Sequence, residues 1–182
     1  MTFVHPYDEP EVIAGHGTGG LEILDAVPDL TDVFVSIGGG GFMAGVAAAV
    51  KARLPTARVH GVETEGAETM TRALAAGRPE TIAPSSIART LGAPFATERT
   101  MAAARRFLAG IEIVPDREAI AELDALVADE HVWCEPAAAC TVAAALRRRG
   151  ALGTRPRIVL VLCGSNVAFE DVARWRGEFG LG

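Results

Sequence analysis

Lysine is nearly missing from this chain. Of the 17 basic residues among 182, only Lys51 is a lysine and the others are arginines. Chemistry that needs a primary amine on a side chain therefore has a single candidate. Cysteine is scarce too: Cys134, Cys140 and Cys163 make an odd count with no CxxC pair. That excludes a disulfide framework and points to a reducing cytoplasm. His5, His16, His60 and His131 are dispersed at no metal-ligand spacing. No apolar run is long enough to span a membrane, because glycine, proline or a charge interrupts each one. The start, Met1-Thr2-Phe3-Val4-His5-Pro6, has neither the basic residues nor the apolar stretch of a signal peptide. Positive charge is in deficit, 17 Lys+Arg against 23 Asp+Glu for a net −6. This argues against nucleic acid and anionic membranes as partners. Internal repeats, charged tails and long linkers are absent as well.

What is present reads as one ordinary domain over 1–182. Hydrophobic residues make up 49% and charged residues 22%, which excludes a disordered chain and supplies a core. Helical and strand patterns alternate. Residues 9–26 start with acids and a proline, as helices do, but Gly15, Gly17, Gly19 and Gly20 predict a break into two short helices. Strands are expected at 32–37, 58–63, 111–114 and 157–163. Helices are expected at 42–54, 67–76, 98–108, from Asp116 to about residue 130, 136–149 and 168–176. Residues 80–96, rich in proline, serine and threonine, read as irregular. Apolar strands separated by helices predict an α/β fold, a parallel sheet with helices on both faces. Such sheets place ligands at the carboxyl ends of their strands. Three features fall there: Gly38–Gly41, Glu63, and Cys163-Gly164-Ser165-Asn166.

Strand, four glycines, then helix is the local chemistry of an anion cradle. Glycine lets the backbone approach a ligand closely, and the N–H groups at the helix start converge on it. No basic side chain lies in the turn, so backbone amides alone would hold the anion. A tight connection with no ligand needs only one or two glycines. Gly39-Gly40-Gly41-Phe42-Met43-Ala44 also satisfies G-x-G-x-x-A, with Glu63 ending the next strand. That is the outline of a dinucleotide site, in which an acid binds the ribose. An NAD(P)-binding fragment of a dehydrogenase is therefore one alternative.

Four stretches carry a wider resemblance. They are His5-Pro6-Tyr7-Asp8-Glu9-Pro10-Glu11-Val12-Ile13-Ala14-Gly15-His16-Gly17-Thr18, then Ser36-Ile37-Gly38-Gly39-Gly40-Gly41-Phe42-Met43-Ala44-Gly45, then Gly61-Val62-Glu63-Thr64-Glu65-Gly66-Ala67. The last is Cys134-Glu135-Pro136-Ala137-Ala138 with Leu162-Cys163-Gly164-Ser165-Asn166-Val167. Together they resemble the C-terminal portion of the fold type II (tryptophan synthase β-like) pyridoxal-phosphate enzymes, in particular serine/threonine dehydratases (ammonia-lyases) and serine racemases. The resemblance implies the large domain of that fold and β-elimination on a small amino acid such as L-serine or L-threonine, giving a 2-oxo acid and ammonia. It implies pyridoxal 5'-phosphate as cofactor and a homo-oligomeric complete enzyme. Gly38, Gly39, Gly40 and Gly41, with the amide of Phe42, would hold the cofactor phosphate, and Cys163 would face the pyridine nitrogen. A divalent-cation site found in some members would map to Glu63, the carbonyl of Ala67 and a carboxylate where Thr69 stands.

The departures are equally specific. The family's Schiff-base lysine lies in an S-x-K-x-R-G-A type motif before the His-Pro-Tyr-Asp stretch, and this chain starts after it. Lys51, at the far end of the helix that follows the glycine turn, reads as an exposed solvating residue. Thr69 is not a carboxylate, which argues against a metal. Ile87-Ala88-Arg89-Thr90-Leu91-Gly92 differs from the Ala-Asp-Gly form common in dehydratases, which leaves the substrate open. The expectation is an incomplete large domain, inactive alone, with an exposed sheet edge and an apolar patch. A catalytically inactive binding remnant is the non-enzyme alternative. His16 reads as a loop residue, Cys134 and Cys140 as core, and Trp133 and Trp175 as packing residues.

Overall fold

The structure, a computed structural model, describes residues 2–181. Four parallel strands form one sheet: β1 (Asp32–Ser36), β2 (Arg58–Thr64), β3 (Leu108–Val114) and β4 (Ile158–Leu160), in the order β3-β2-β1-β4. Seven α-helices accompany them among the described residues: α1 (Pro10–Ala26), α2 (Gly41–Arg53), α3 (Thr69–Ala76), α4 (Glu98–Phe107), α5 (Asp116–Glu130), α6 (Pro136–Arg148) and α7 (Phe169–Glu178). None of these helices is long and apolar enough to cross a membrane.

The period-2 geometry of β1 divides the core between the two faces of the sheet. Val33, Val35 and then Ile37 pack with Met43, Val46 and Val50 of α2 and with Met70 and Met101. Phe34 points the other way, onto Ala137, Cys140 and Ala144 of α6. Farther out, α7 lays Val172 and Trp175 against Ile120 and Leu123 of α5. Helices thus cover both faces, as the apolar strands required.

The expected break in the first helix does not occur. α1 is continuous through all four glycines, because two of them are a contact surface rather than a flexible joint. A Cβ on Gly20 would lie 2.8 Å from the Val46 carbonyl oxygen, and one on Gly45 of α2 would lie 2.3 Å from that of Ile13. Close approach of two backbones offsets the helix cost of glycine, roughly 1 kcal/mol per residue.

The last strand is shorter than the sequence pattern, ending at Leu160, although the Val161 amide still donates to the Phe34 carbonyl at 3.0 Å. Among the described residues β4 pairs only with β1. Ile158 and Leu162 are more than one-third exposed there. At the amino ends of the strands, buried Asp32 accepts from Arg58 (2.9 Å), Thr31 (2.8 Å) and His60, whose Nε2 lies 2.7 Å away. Burial alone would raise the Asp32 pKa, but these hydrogen bonds together hold it below the ordinary carboxylate value.

Candidate functional site

The carboxyl end of β1 runs through Ser36 and Ile37 into Gly38–Gly41 and directly into α2. Gly40 is the N-cap residue of α2, with a left-handed φ of 95°. A Cβ there would meet Met70 Cε and Thr100 Cβ, both at 2.8 Å. From above, a Cβ on Gly39 would lie 2.3 Å from the Tyr7 ring, and one on Gly38 3.3 Å from the Thr90 carbonyl oxygen. The turn is therefore pressed on both sides as well as bent, which is why four glycines are needed rather than one. No side chain caps α2, and its first turn carries no acid. Its leading N–H groups, which have no partners within the helix, keep their positive field.

These residues form one wall of a cleft of about 290 Å³. Cys163, Ser36, Glu135, Ala137, Thr90 and His16 also line it, with Tyr7 and Phe42. The structure thus brings Gly38, Gly39, Gly40, Gly41, Phe42 and Cys163 to one site. No lysine or arginine lines it. Cys163 is exposed at the cleft, and desolvation by the protein around it still pushes its thiol pKa up against a hydrogen bond with Ser36. The sulfur is consequently a neutral S–H at neutral pH. Glu135 is the residue that sequence reasoning quoted without giving it a place. It is buried, its Oε1 accepts from the Thr90 hydroxyl at 2.9 Å, and it packs on Gly164 so closely that a Cβ there would sit 2.3 Å away. The left-handed φ of 103° at Gly164 turns the chain just after Cys163. Tyr7 was also missed as a wall residue. The signal available for it was Gly39, which makes room for the ring, and Gly41, which makes room for the Tyr7 backbone.

Glu63, which with Ala67 marks the expected cation site, is engaged by the protein itself. Both Glu63 oxygens already serve α3: Oε1 accepts from the Met70 amide at 2.6 Å, and Oε2 from the Thr71 amide at 3.0 Å and the Thr71 hydroxyl at 2.6 Å. Thr69 turns its hydroxyl to the Ala93 carbonyl at 2.8 Å. Among the described residues no group of three histidine, cysteine or acidic side chains could hold a metal. Burial drives the Glu63 pKa up to about 7 in spite of these hydrogen bonds. The same geometry withdraws the acid that a dinucleotide site would place on the ribose.

Lys51 is at the opposite end of α2 from the glycine turn, but it is not the solvating residue expected. Its Nζ donates to the carbonyls of Pro55 (2.5 Å) and Ala57 (2.9 Å), which ties the end of α2 to the start of β2.

Comparisons with known proteins agree with this geometry. A family model described as "Pyridoxal-phosphate dependent enzyme" matches residues 1–164. The chain is 33% identical over 173 residues to an L-threonine ammonia-lyase of Thermotoga maritima, covering 94% of this chain and 43% of the relative. It is 36% identical over 181 residues to a phenylserine dehydratase of Ralstonia pickettii, covering 99% of this chain and 55% of the relative. The crystal structure of a threonine deaminase from "T.th." superposes with a TM-score of 0.84 at 35% identity, covering 91% of this chain and 57% of that one. The chain spans about half the length of the curated relatives it matches.

Proposed function

Because the chain belongs to the family of pyridoxal-phosphate-dependent enzymes, we propose that it forms the cofactor wall of a lyase. The complete enzyme would remove the hydroxyl and amino groups of a small hydroxy amino acid such as L-serine or L-threonine, giving a 2-oxo acid and ammonia. The observation that carries this reading is the meeting of the uncapped glycine turn with Cys163 in one cleft. The residues fit the group: a cradle without side chains for a phosphate, and a neutral thiol for a ring nitrogen. The threonine ammonia-lyase and threonine deaminase relatives support the reaction class.

Pyridoxal phosphate, when bound, supplies the electron sink for breaking bonds at the α-carbon. The chain's own contribution is binding and orientation. Amides of Gly38–Gly41 and Phe42 would hold the phosphate at the positive end of α2. The Cys163 thiol keeps its proton on sulfur and would offer the ring nitrogen an uncharged partner, which would temper the sink and suit elimination of a hydroxyl. The amine that would bond the cofactor covalently is not among these residues, because Lys51 is held 10 positions past Gly41 by two backbone carbonyls. The complete enzyme is read as a cytoplasmic homo-oligomer, on the unpaired cysteines and on the family resemblance.

Titration calorimetry with pyridoxal phosphate tests the cradle, with pyridoxal as the phosphate-free control. Saturable binding of the phosphate ester and none of pyridoxal is expected, together with no release of 2-oxo acid from serine or threonine by these residues alone. Equal affinity for both ligands would sink the cradle. Turnover by this chain would return Lys51 to the active site.

A further inference from the structure

Glu135 is a buried acid with no task in the chemistry described so far. It is the N-cap residue of α6, where a side-chain oxygen can accept from the free amides of the first turn, yet it makes no such bond. It forms no ion pair among the described residues, and no lysine or arginine lines the cleft it faces. Its carboxylate is aimed instead at the turn that follows Cys163. A Cβ on Gly164 would collide with Oε1, and the Glu135 amide donates to the Gly164 carbonyl at 3.1 Å. Side chain and backbone of one residue thus hold the same glycine, whose φ of 103° fixes the direction in which the chain leaves Cys163. The Thr90 hydroxyl, donating to Oε1 at 2.9 Å, keeps the carboxylate in place. Thr90 stands where the Ala-Asp-Gly form of the dehydratase loop has its glycine, so this chain adds a hydroxyl that the form lacks.

Resting on the lyase reading, we propose that Glu135 is a positioning residue: it sets where Cys163 stands and keeps that thiol uncharged for the ring nitrogen. The first effect is mechanical, through the hold on Gly164. The second acts through space, because a negative group beside a thiol disfavours the thiolate. Desolvation is the larger influence on Cys163, the Ser36 hydrogen bond from β1 opposes it, and the Glu135 charge adds to it. The other titratable groups around the sulfur are Tyr7 and, from α1, His16 on the cleft wall, with the buried Cys140 thiol of α6 behind. On the far side of Glu135 a second cavity carries Arg89 and Asp171, and Asp171 is paired with Arg174 at 2.6 Å. A thiolate at Cys163 would draw a proton onto the ring nitrogen and strengthen the electron sink. Glu135 would hold the site at the weaker setting, which suits loss of a hydroxyl.

The rate of Cys163 alkylation by iodoacetamide as a function of pH reads the thiol directly, since Cys163 is exposed while Cys134 and Cys140 are buried. Mass spectrometry assigns the label to its cysteine. In the wild-type protein the profile is expected to centre above the ordinary thiol value of about 8.5. Glu135→Gln keeps the shape and an acceptor for Thr90 but removes the charge, and should alkylate about threefold faster or more at about pH 8. Glu135→Asp keeps the charge and should stay close to the wild-type profile. A Glu135→Gln profile that superimposes on the wild type overturns the inference. So does a Glu135→Asp profile shifted as far as that of Glu135→Gln, which would trace the effect to packing alone. A wild-type profile centred at or below about 8.5 overturns it with no variant at all. Saturating pyridoxal phosphate should protect Cys163 in the wild-type protein. Alkylation undiminished by the cofactor would instead defeat the lyase reading, so the two failures are read in different experiments.

Discussion

Glu63 is the residue whose chemistry and fold are most tightly joined. It is fully buried, and its carboxylate holds the first turn of α3. Burial raises its pKa from 4.5 to about 7, so between these values the folded protein holds a proton that the unfolded chain has released. Stability from this group is therefore present below about pH 4.5 and is lost as pH rises through about 7. The loss is on the order of 3 kcal/mol. His60 works in the opposite direction in the same range: burial depresses its pKa despite the Asp32 hydrogen bond, so acid destabilises through it. The difference between wild type and Glu63→Gln isolates the carboxylate. Urea unfolding at pH 5 and at pH 7.5 should show the variant's deficit shrinking as pH rises. A deficit that stays constant or grows would show Glu63 to be an ordinary ionised cap. From the sequence, Glu63 was legible as a polar residue at a strand end. Its true partner was not, because Met70 and Thr71 reach it only through the turn at Gly66, whose φ is 83°.

At the scale of elements, glycine carries opposite meanings in the same helix. Gly17 and Gly20 of α1 face α2, while a Cβ on Gly15 or Gly19 would meet nothing within 4 Å. Gly15→Ala and Gly19→Ala should each stabilise the protein by about 0.5–1 kcal/mol, the ordinary helix gain. Gly45→Ala should cost several times that in the opposite direction, on the order of 3 kcal/mol, since its Cβ would lie 2.3 Å from the Ile13 carbonyl oxygen and 2.8 Å from the Gly17 amide. Thermal melts of the three variants decide it; a Gly45→Ala variant as stable as Gly15→Ala would mean that α1 and α2 are not packed backbone to backbone. This contrast also explains what the sequence could show. Strand and helix existence followed from apolar runs and caps, and the glycine turn with Cys163 was legible as one site because both features follow the carboxyl ends of neighbouring strands. The continuity of α1 was hidden, since propensity registers each glycine as a breaker and only the partner helix makes it a contact.

At the scale of the whole molecule, the sheet has one side better covered than the other. β4 contributes three residues and pairs with β1 alone. Ile158 is 37% exposed and Leu162 36%, and Phe169, stacked on Trp133, is 72% exposed. The outward backbone groups of such an edge are a template for another strand, and the apolar side chains beside it reward covering. Against this stands a net charge of −6, which keeps copies apart at low ionic strength. Repulsion between exposed charges is screened over about 10 Å at 0.1 M salt and about 3 Å at 1 M, whereas apolar contact is not weakened. Self-association should therefore be concentration-dependent and should increase with sodium chloride. Ile158→Lys, which places a charge on the edge and leaves the strand's backbone intact, should reduce it at every salt concentration. Sedimentation velocity at low and high salt checks both expectations. A monomer that stays monodisperse at high salt would show that β4 is a closed edge. Association that weakens with salt would assign the contact to the protein's ion pairs instead of to the uncovered strand.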